Sequence, residues 1–239
     1  MIDLHTHILP HMDDGAGSVE ESLQMLRMQR QQGVSTVVLT PHFYRDRERP
    51  ERFFRRRRES FQLLQAKIGS LPEEERSTLP RMLLGAEVAW RPNLHGWDEL
   101  PEFCLPGTKR LLLELPFAPW SQTLINQLCD MENRTGVTPI FAHLERYLPM
   151  QRRQAVEDLM SLGYPVQISG EPLLHFASRG KSLRLLKSAP VFVLASDCHG
   201  VDRRMPNLGP AMDTVRRRAG SSFAESLIER AEHLVESSH

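Results

Sequence analysis

The chain has 239 residues, 40% of them hydrophobic and 25% charged, which is enough apolar material for an ordinary buried core. Its 30 basic and 30 acidic residues balance, so composition gives no electrostatic reason to expect a nucleic-acid-binding or membrane-surface protein. The three cysteines have no metal-site spacing, the start is not signal-like, and no apolar run approaches about 18 residues; these features predict a cytoplasmic protein without membrane insertion.

Residues 1–9 predict a short strand that ends in paired imidazoles. Period-2 alternation places Ile2 and Leu4 on one face and His5 and His7 on the other. Two imidazoles two residues apart can bind one metal ion without backbone strain. Two polar residues at the exit of a strand are the alternative interpretation of this pattern.

A helix and a second strand follow. Ser18 and Glu21 form the capping-box pattern of a helix that ends at Gly33. The β-branched run over residues 34–40 predicts a buried parallel strand that leads directly into His42. A potential ligand therefore again stands where an apolar strand ends.

Residues 45–58 include eight arginines, with Phe53 and Phe54 among them, and predict an exposed basic helix. The arginines can form a solvated face by pairing with neighbouring glutamates. Alternatively, they can contact an acidic partner beside an active site. The sequence leaves both interpretations open.

Four later strands also end in polar residues that can bind metal. They are residues 81–87 with Glu87, 110–116 with Glu114, 137–147 with His143 at the strand end, and 191–200 with Asp197 and His199. A glutamate at the end of an apolar strand is costly to bury unless an arginine pairs with it or a cation binds it. One more strand is predicted over 164–169, helices over 121–135 and 149–163, and two amphipathic helices after Asn207.

The alternation of strand and helix, repeated about seven times, predicts a parallel sheet and an incomplete or distorted TIM-like (β/α) barrel in a single domain over residues 1–239. The polar strand ends would then converge at its C-terminal face. These candidate ligands are His5, His7, either Asp13 or Asp14, His42, Glu87, Glu114, His143, Asp197 and His199. Nine ligands exceed the needs of one ion and predict two or three bridged ions, while the absence of thiolates favours manganese, iron or zinc.

Several motifs resemble those of the polymerase and histidinol phosphatase (PHP) superfamily. They are His5-Thr6-His7, Thr40-Pro41-His42, Gly85-Ala86-Glu87, Leu113-Glu114 and Ser196-Asp197-Cys198-His199. Within the superfamily, Asp13-Asp14-Gly15 and His143-Leu144-Glu145-Arg146-Tyr147 are similar to bacterial manganese-dependent protein-tyrosine phosphatases of capsular and exopolysaccharide operons. This resemblance implies a distorted (β/α)7 barrel with a trinuclear centre held by the nine residues, with Asp14 as the family's choice. It implies Mn²⁺ as the cofactor, with iron or zinc as alternatives.

The same resemblance implies hydrolysis of protein phosphotyrosine by a metal-activated hydroxide. The expected substrate is the tyrosine-rich tail of a bacterial tyrosine autokinase that drives polysaccharide export. Arg146 would stabilise charge beside the leaving group, and Arg204 would bind phosphate, with Arg203 as the alternative. A small-molecule phosphatase such as histidinol phosphatase, or a PHP-type nuclease or hydrolase, would use the same metal site. The oligomeric state is left open.

Overall fold

Parallel strands alternate with helices in this computed structural model, which describes residues 1–189 and 191–235. The strands are β1 (Ile2–Thr6), β2 (Thr36–Leu39), β3 (His42–Phe43), β4 (Arg81–Leu84), β5 (Glu87–Ala89), β6 (Arg110–Glu114), β7 (Thr138–Phe141), β8 (Val166–Ser169) and β9 (Phe192–Ala195). The helices are α1 (Val19–Gln31), α2 (Pro50–Gly69), α3 (Glu73–Arg76), α4 (Gln122–Thr135), α5 (Leu144–Tyr147), α6 (Arg153–Ser161), α7 (Glu171–Leu174), α8 (Phe176–Ser188), α9 (Leu208–Ala219) and α10 (Ser221–Val235).

The strands form two sheets rather than one closed ring. One sheet has the order β1-β2-β4, the other the order β3-β5-β6-β7-β8-β9, and every pairing is parallel. A single bridge between Thr6 and Cys198 connects β1 to the segment after β9. The predicted parallel alternation of strands and helices is confirmed, whereas a closed (β/α)7 barrel is not.

Two local interruptions separate the sheets. Pro41 follows the end of β2 and has no N–H with which to continue a ladder. Between β4 and β5, the Gly85 carbonyl accepts a hydrogen bond of 2.7 Å from the Arg57 guanidinium. A Cβ at the Gly85 position would also lie only 3.0 Å from the Val38 side chain, a tight contact that favours glycine between the two strands.

A compact apolar cluster lies along the strands and extends to the last helix. It includes Leu4, Leu112, Val193 and, from the last turn of α10, Leu234. Arg110 at the start of β6 donates to the Leu234 carbonyl at 3.2 Å, which fixes the end of α10 near the amino ends of the strands. The carboxyl ends therefore remain available for polar chemistry.

Some predicted boundaries hold and others need correction. The Ser18 hydroxyl caps α1 by accepting from the Glu21 amide at 3.1 Å, and Gly136 ends α4 in a left-handed conformation. The predicted strand 81–87 is divided into β4 and β5, and the predicted strand 137–147 ends at Phe141, after which α5 forms. The helix expected from Pro149 begins at Arg153, and α8 was not predicted. Within the described residues, no helix is both long enough and apolar enough to cross a membrane.

Candidate metal centre

His5 and His7 point toward a common centre at the carboxyl end of β1. Their Nε2 atoms lie 3.1 Å apart. The other ring nitrogens are held from behind: His5 Nδ1 lies 3.1 Å from Gln167 Oε1, and His7 Nδ1 lies 2.8 Å from Asp13 Oδ2. Such partners fix the orientation of an imidazole so that its remaining nitrogen faces a metal.

Glu87 occupies the middle of the cluster, at the start of β5. Its Oε2 atom lies within 3.3 Å of a nitrogen from each of three imidazoles, those of His5, His7 and His42, and its Oε1 atom lies 2.9 Å from His143 Nε2. Burial alone would raise the pKa of Glu87, but the charges of His5 and His42 lower it well below its usual range. A buried carboxylate among four imidazoles is suited to bridging cations.

Glu114 extends the cluster at the end of β6. Its Oε1 atom lies 3.7 Å from His143 Nε2. Burial, followed by the nearby charge of Glu87, raises the pKa of Glu114 to about 7. A cation shared by the two carboxylates would remove this repulsion.

Asp197 connects the imidazoles to two arginines. Its Oδ1 atom lies 3.4 Å from His5 Nε2. Its Oδ2 atom accepts a hydrogen bond from Arg146 and lies 2.8 Å from a guanidinium nitrogen of Arg204. Burial alone would raise the pKa of Asp197, but the charges of His5 and Arg146 lower it well below its usual range. Both candidate phosphate-binding arginines thus reach the edge of the centre, whereas Arg203 is exposed.

Asp13 and Asp14 have different surroundings. Asp13 Oδ2 accepts from the His7 ring and from the His42 backbone amide, each at 2.8 Å. Asp14 Oδ1 instead lies 3.5 Å from His42 Nε2 and 3.6 Å from His199 Nε2. The geometry therefore places Asp14 among the potential ligands and Asp13 behind them.

Three sets of side chains have ligand atoms close enough to hold an ion: His7, Asp14, His42 and His199; His5, His7 and Glu87; and His42, Glu87 and Glu114. All nine predicted residues belong to one network in which each approaches another within 3.7 Å. Within the described part of the chain, Glu87 Oε2 and His199 Nε2 are buried and make no hydrogen bond. Buried nitrogen and oxygen atoms without such partners fit a site for divalent cations.

Three residues of the site have left-handed backbone conformations. The φ angles are +32° for His143, +53° for Asp197 and +50° for Arg204. Non-glycine residues at positive φ are uncommon and cost of order 1–3 kcal/mol each. The backbone at each of these positions is therefore less stable than in an ordinary conformation, while its side chain lies in the site.

Two cavities border the centre and meet at Asp14. The larger, of about 460 Å³, is lined by residues 12–14, 42–44, 47, 48 and 56. The smaller, of about 250 Å³, is lined by residues 14, 15, 21 and 199–204. An extended ligand bound at the centre could therefore continue in either direction.

Phe117 places an exposed aromatic ring beside His143 of the centre. Its ring centroid lies 5.9 Å from that of His143 and 4.8 Å from that of Tyr147. Phe117 remains 52% exposed although it is large and apolar. This ring could stack against an aromatic group that enters the centre.

Comparison with known proteins identifies the family. A family model described as capsular polysaccharide synthesis, CpsB/CapC, matches residues 1–236. The chain belongs to the CpsB/CapC family. This CpsB/CapC chain is 27% identical to tyrosine-protein phosphatase CpsB of Streptococcus agalactiae, covering 98% of both chains. It is 29% identical to tyrosine-protein phosphatase YwqE of Bacillus subtilis, covering 98% of this chain and 91% of YwqE.

Solved structures give the same relationship. The CpsB/CapC chain superposes with a TM-score of 0.81 and 28% identity on a structure described with YwqE from Bacillus subtilis and CpsB from Streptococcus pneumoniae as unique metal-dependent tyrosine phosphatases. That match covers 100% of this chain and 96% of the other. A mutant organophosphorus hydrolase matches with a TM-score of 0.51 and 15% identity, which is a likeness of fold alone.

Sequence reasoning overlooked the residues that orient the imidazoles. Gln167 lies in β8, where its Oε1 atom contacts His5 Nδ1 and also accepts from the His143 amide at 2.7 Å. A lone amide within a buried strand was a usable signal, because an unpaired polar group there is costly. The sequence presents Asp13 only as an alternative metal ligand to Asp14, because spacing does not distinguish two adjacent carboxylates in a loop.

Proposed function

We propose that this chain is a metal-dependent protein-tyrosine phosphatase whose centre is formed by the nine residues around Glu87. The observation that carries the proposal is the Glu87 carboxylate, which lies within 3.3 Å of nitrogens from four imidazoles, beside two arginines on Asp197. The tyrosine-phosphatase names of relatives that match nearly the whole chain support the choice of reaction. Capsular or exopolysaccharide synthesis is the process in which we place it.

The ligands in this proposal are His5, His7, Asp14, His42, Glu87, Glu114, His143, Asp197 and His199. They would hold two or three divalent ions, with Glu87 bridging at least two of them. Mn²⁺ is the proposed metal because the motifs resemble those of manganese-dependent phosphatases. The nitrogen and oxygen donors also suit iron and zinc, which are the alternatives. Bound divalent ions would lower the pKa of water and offset negative charge on phosphate oxygens.

Arg146 and Arg204 are the proposed phosphate-binding residues. Asp197 Oδ2 holds both guanidinium groups at the edge of the centre, so their remaining N–H groups can donate to a phosphoryl group. A guanidinium rarely gives up its proton. The arginines would therefore stabilise the phosphoryl group and the departing phenolate by charge rather than by proton donation.

The leaving group explains the choice of tyrosine. Phenol has a pKa of roughly 10, so its anion departs far more readily than a serine alkoxide from a site without a dedicated general acid. Phe117 provides an exposed ring beside His143 against which the tyrosine ring can stack. We propose Phe117 as the residue that positions the substrate ring.

We further propose that the physiological substrate is the phosphorylated tyrosine-rich tail of a bacterial tyrosine autokinase. The supporting observation is the membership of a capsular polysaccharide family together with relatives named tyrosine-protein phosphatases. A cytoplasmic location and a single domain over residues 1–239 stay predictions.

The test is hydrolysis of a phosphotyrosine peptide, its phosphoserine counterpart and histidinol phosphate, each with added Mn²⁺ and after chelation. We expect preferential phosphotyrosine hydrolysis that chelation abolishes and Mn²⁺ restores. Alkylation should leave activity intact, because Cys129 is the exposed thiol while Cys104 and Cys198 are buried. A preference for histidinol phosphate would show that the proposed substrate is wrong while the metal site stands. Turnover after complete chelation would contradict the metal-dependent reaction.

A further inference from the structure

The eight arginines of residues 45–58 fall into two structural classes. Three are held by other parts of the protein. Arg45 pairs with Glu99 at 3.3 Å, Arg56 donates to the Met12 carbonyl at 2.8 Å, and Arg57 donates to the Gly85 carbonyl. Replacing Arg56 or Arg57 would disturb the segments that carry Asp14 and Glu87, whereas Arg45 is held against the segment that carries Glu99.

The other five are exposed and form no ion pair within the described residues: Arg47 and a row of four that begins at α2. Arg49, Arg52, Arg55 and Arg58 recur at every third position from the N-cap of α2, and none of them forms an ion pair within the described residues. Spacing of three residues places them as neighbours on the solvent face of the helix. At 1.5 Å per residue the row is about 14 Å long, which matches about four residues of an extended peptide.

The row begins beside the larger cavity. Arg47 lines that cavity together with His42 and Asp14 of the centre, and its guanidinium lies 4.4 Å from the Tyr44 ring centroid. Arg47 is exposed and forms no salt bridge among the residues that the structure describes, although its charge acts on the neighbouring Asp46. Exposed guanidinium groups therefore extend from the cavity beside the metal centre, at Arg47, to the exposed face of α2; we call these arginines the basic path.

We infer that this path, formed by Arg47, Arg49, Arg52, Arg55 and Arg58, binds an extended acidic segment next to the phosphotyrosine of the substrate. The inference rests on the proposed function. Carboxylate or phosphate groups on the segment would pair with guanidinium groups, which form bidentate hydrogen bonds with such anions. Because the chain has a net charge of zero, the attraction is local to this face.

The experiment compares two phosphotyrosine peptides that differ only in flanking residues, four glutamates in one and four glutamines in the other. The variant is Arg52→Gln/Arg55→Gln/Arg58→Gln, since glutamine keeps a good helix former at each position. The matched control is Lys181→Gln/Arg184→Gln/Arg218→Gln, which removes the same charge from exposed positions of α8 and α9. Initial rates are measured at low salt and in 1 M NaCl.

At low salt we expect the α2 variant to raise KM for the acidic peptide about tenfold, which is what three exposed ion pairs of ordinary strength would contribute. The neutral peptide and the control variant should show less than about twofold change. In 1 M salt, where the screening length is about 3 Å, the difference between the peptides should disappear. An Arg47→Gln variant should raise KM for the acidic peptide in the same direction.

The outcomes separate this inference from the proposed function. Equal KM values of the unmodified protein for both peptides at low salt would overturn the inference while leaving the phosphatase assignment intact. Hydrolysis of neither peptide would overturn both. If the α2 variant lost binding to an oligonucleotide or to anionic vesicles but kept its KM for the acidic peptide, the surface would belong to a different class of partner and the inference would be wrong.

Discussion

Replacing Glu87 by glutamine tests the organisation of the centre directly. Glutamine keeps the size of the side chain but substitutes an NH₂ group for one carboxylate oxygen. Two of the three candidate ion groups include Glu87, and the third, made of His7, Asp14, His42 and His199, does not. We therefore expect the metal content of a fully loaded chain to fall from two or three ions to one.

The loss of activity should be large. Changing even an outer-shell partner of a metal ligand typically costs 10- to 100-fold in affinity or activity, and Glu87 would itself be the bridging ligand. We expect kcat to fall by at least about 100-fold, equivalent to about 2.7 kcal/mol of transition-state stabilisation. Elemental analysis of the purified protein gives the ion stoichiometry, and initial rates on a phosphotyrosine peptide give kcat.

Glu145→Gln is the matched control for this substitution. Glu145 is also a glutamate near the centre, and burial raises its pKa to about 7, but it belongs to none of the three candidate ion groups. The control should retain its metal ions. If Glu87→Gln kept the full ion content of the unmodified protein and more than a tenth of its activity, the proposed bridging role would be wrong.

Three further changes probe other parts of the site. Arg146→Ala should lower kcat by about 10²- to 10³-fold with unchanged metal content, measured by rates and elemental analysis, because Arg146 supplies charge rather than ligation; loss of metal would contradict this role. Phe117→Ala should raise KM for aryl phosphates severalfold, equivalent to about 0.5–1.5 kcal/mol, without changing inhibition by inorganic phosphate; equal effects on both would exclude ring stacking. Chelation should lower the melting temperature by roughly 5–10 °C, the stabilisation expected from a metal ion present at about 100 times its Kd, and Mn²⁺ should restore it. An unchanged melting temperature would contradict ion binding in this cluster.

The strands and their polar ends could be predicted because each signal lies within a short segment. An apolar run followed by His42, Glu114 or His143 is visible in the sequence, and parallel strands bring such ends to one edge. The structure places the nine residues in one network, although their assignment as ligands stays a prediction.

The division into two sheets could not be predicted, because it depends on partners distant in sequence. The strand is interrupted at Gly85, whose carbonyl accepts a hydrogen bond from Arg57, 28 positions earlier in the chain. The support of His5 by Gln167 spans 162 positions and leaves no spacing pattern. In the same way, a run of arginines does not reveal which members are anchored and which face solvent.

The left-handed conformation of Arg204 has a consequence for directed evolution. Glycine would relieve the backbone at this position, where φ is +50°, but would remove the guanidinium that reaches Asp197. A selection that rewards heat resistance alone would therefore enrich glycine at position 204 wherever the relieved backbone outweighs the lost ion pair with Asp197. Such a library would yield proteins with higher thermal stability and impaired turnover. Selection for thermal stability therefore has to be coupled to a measurement of catalytic activity at every round.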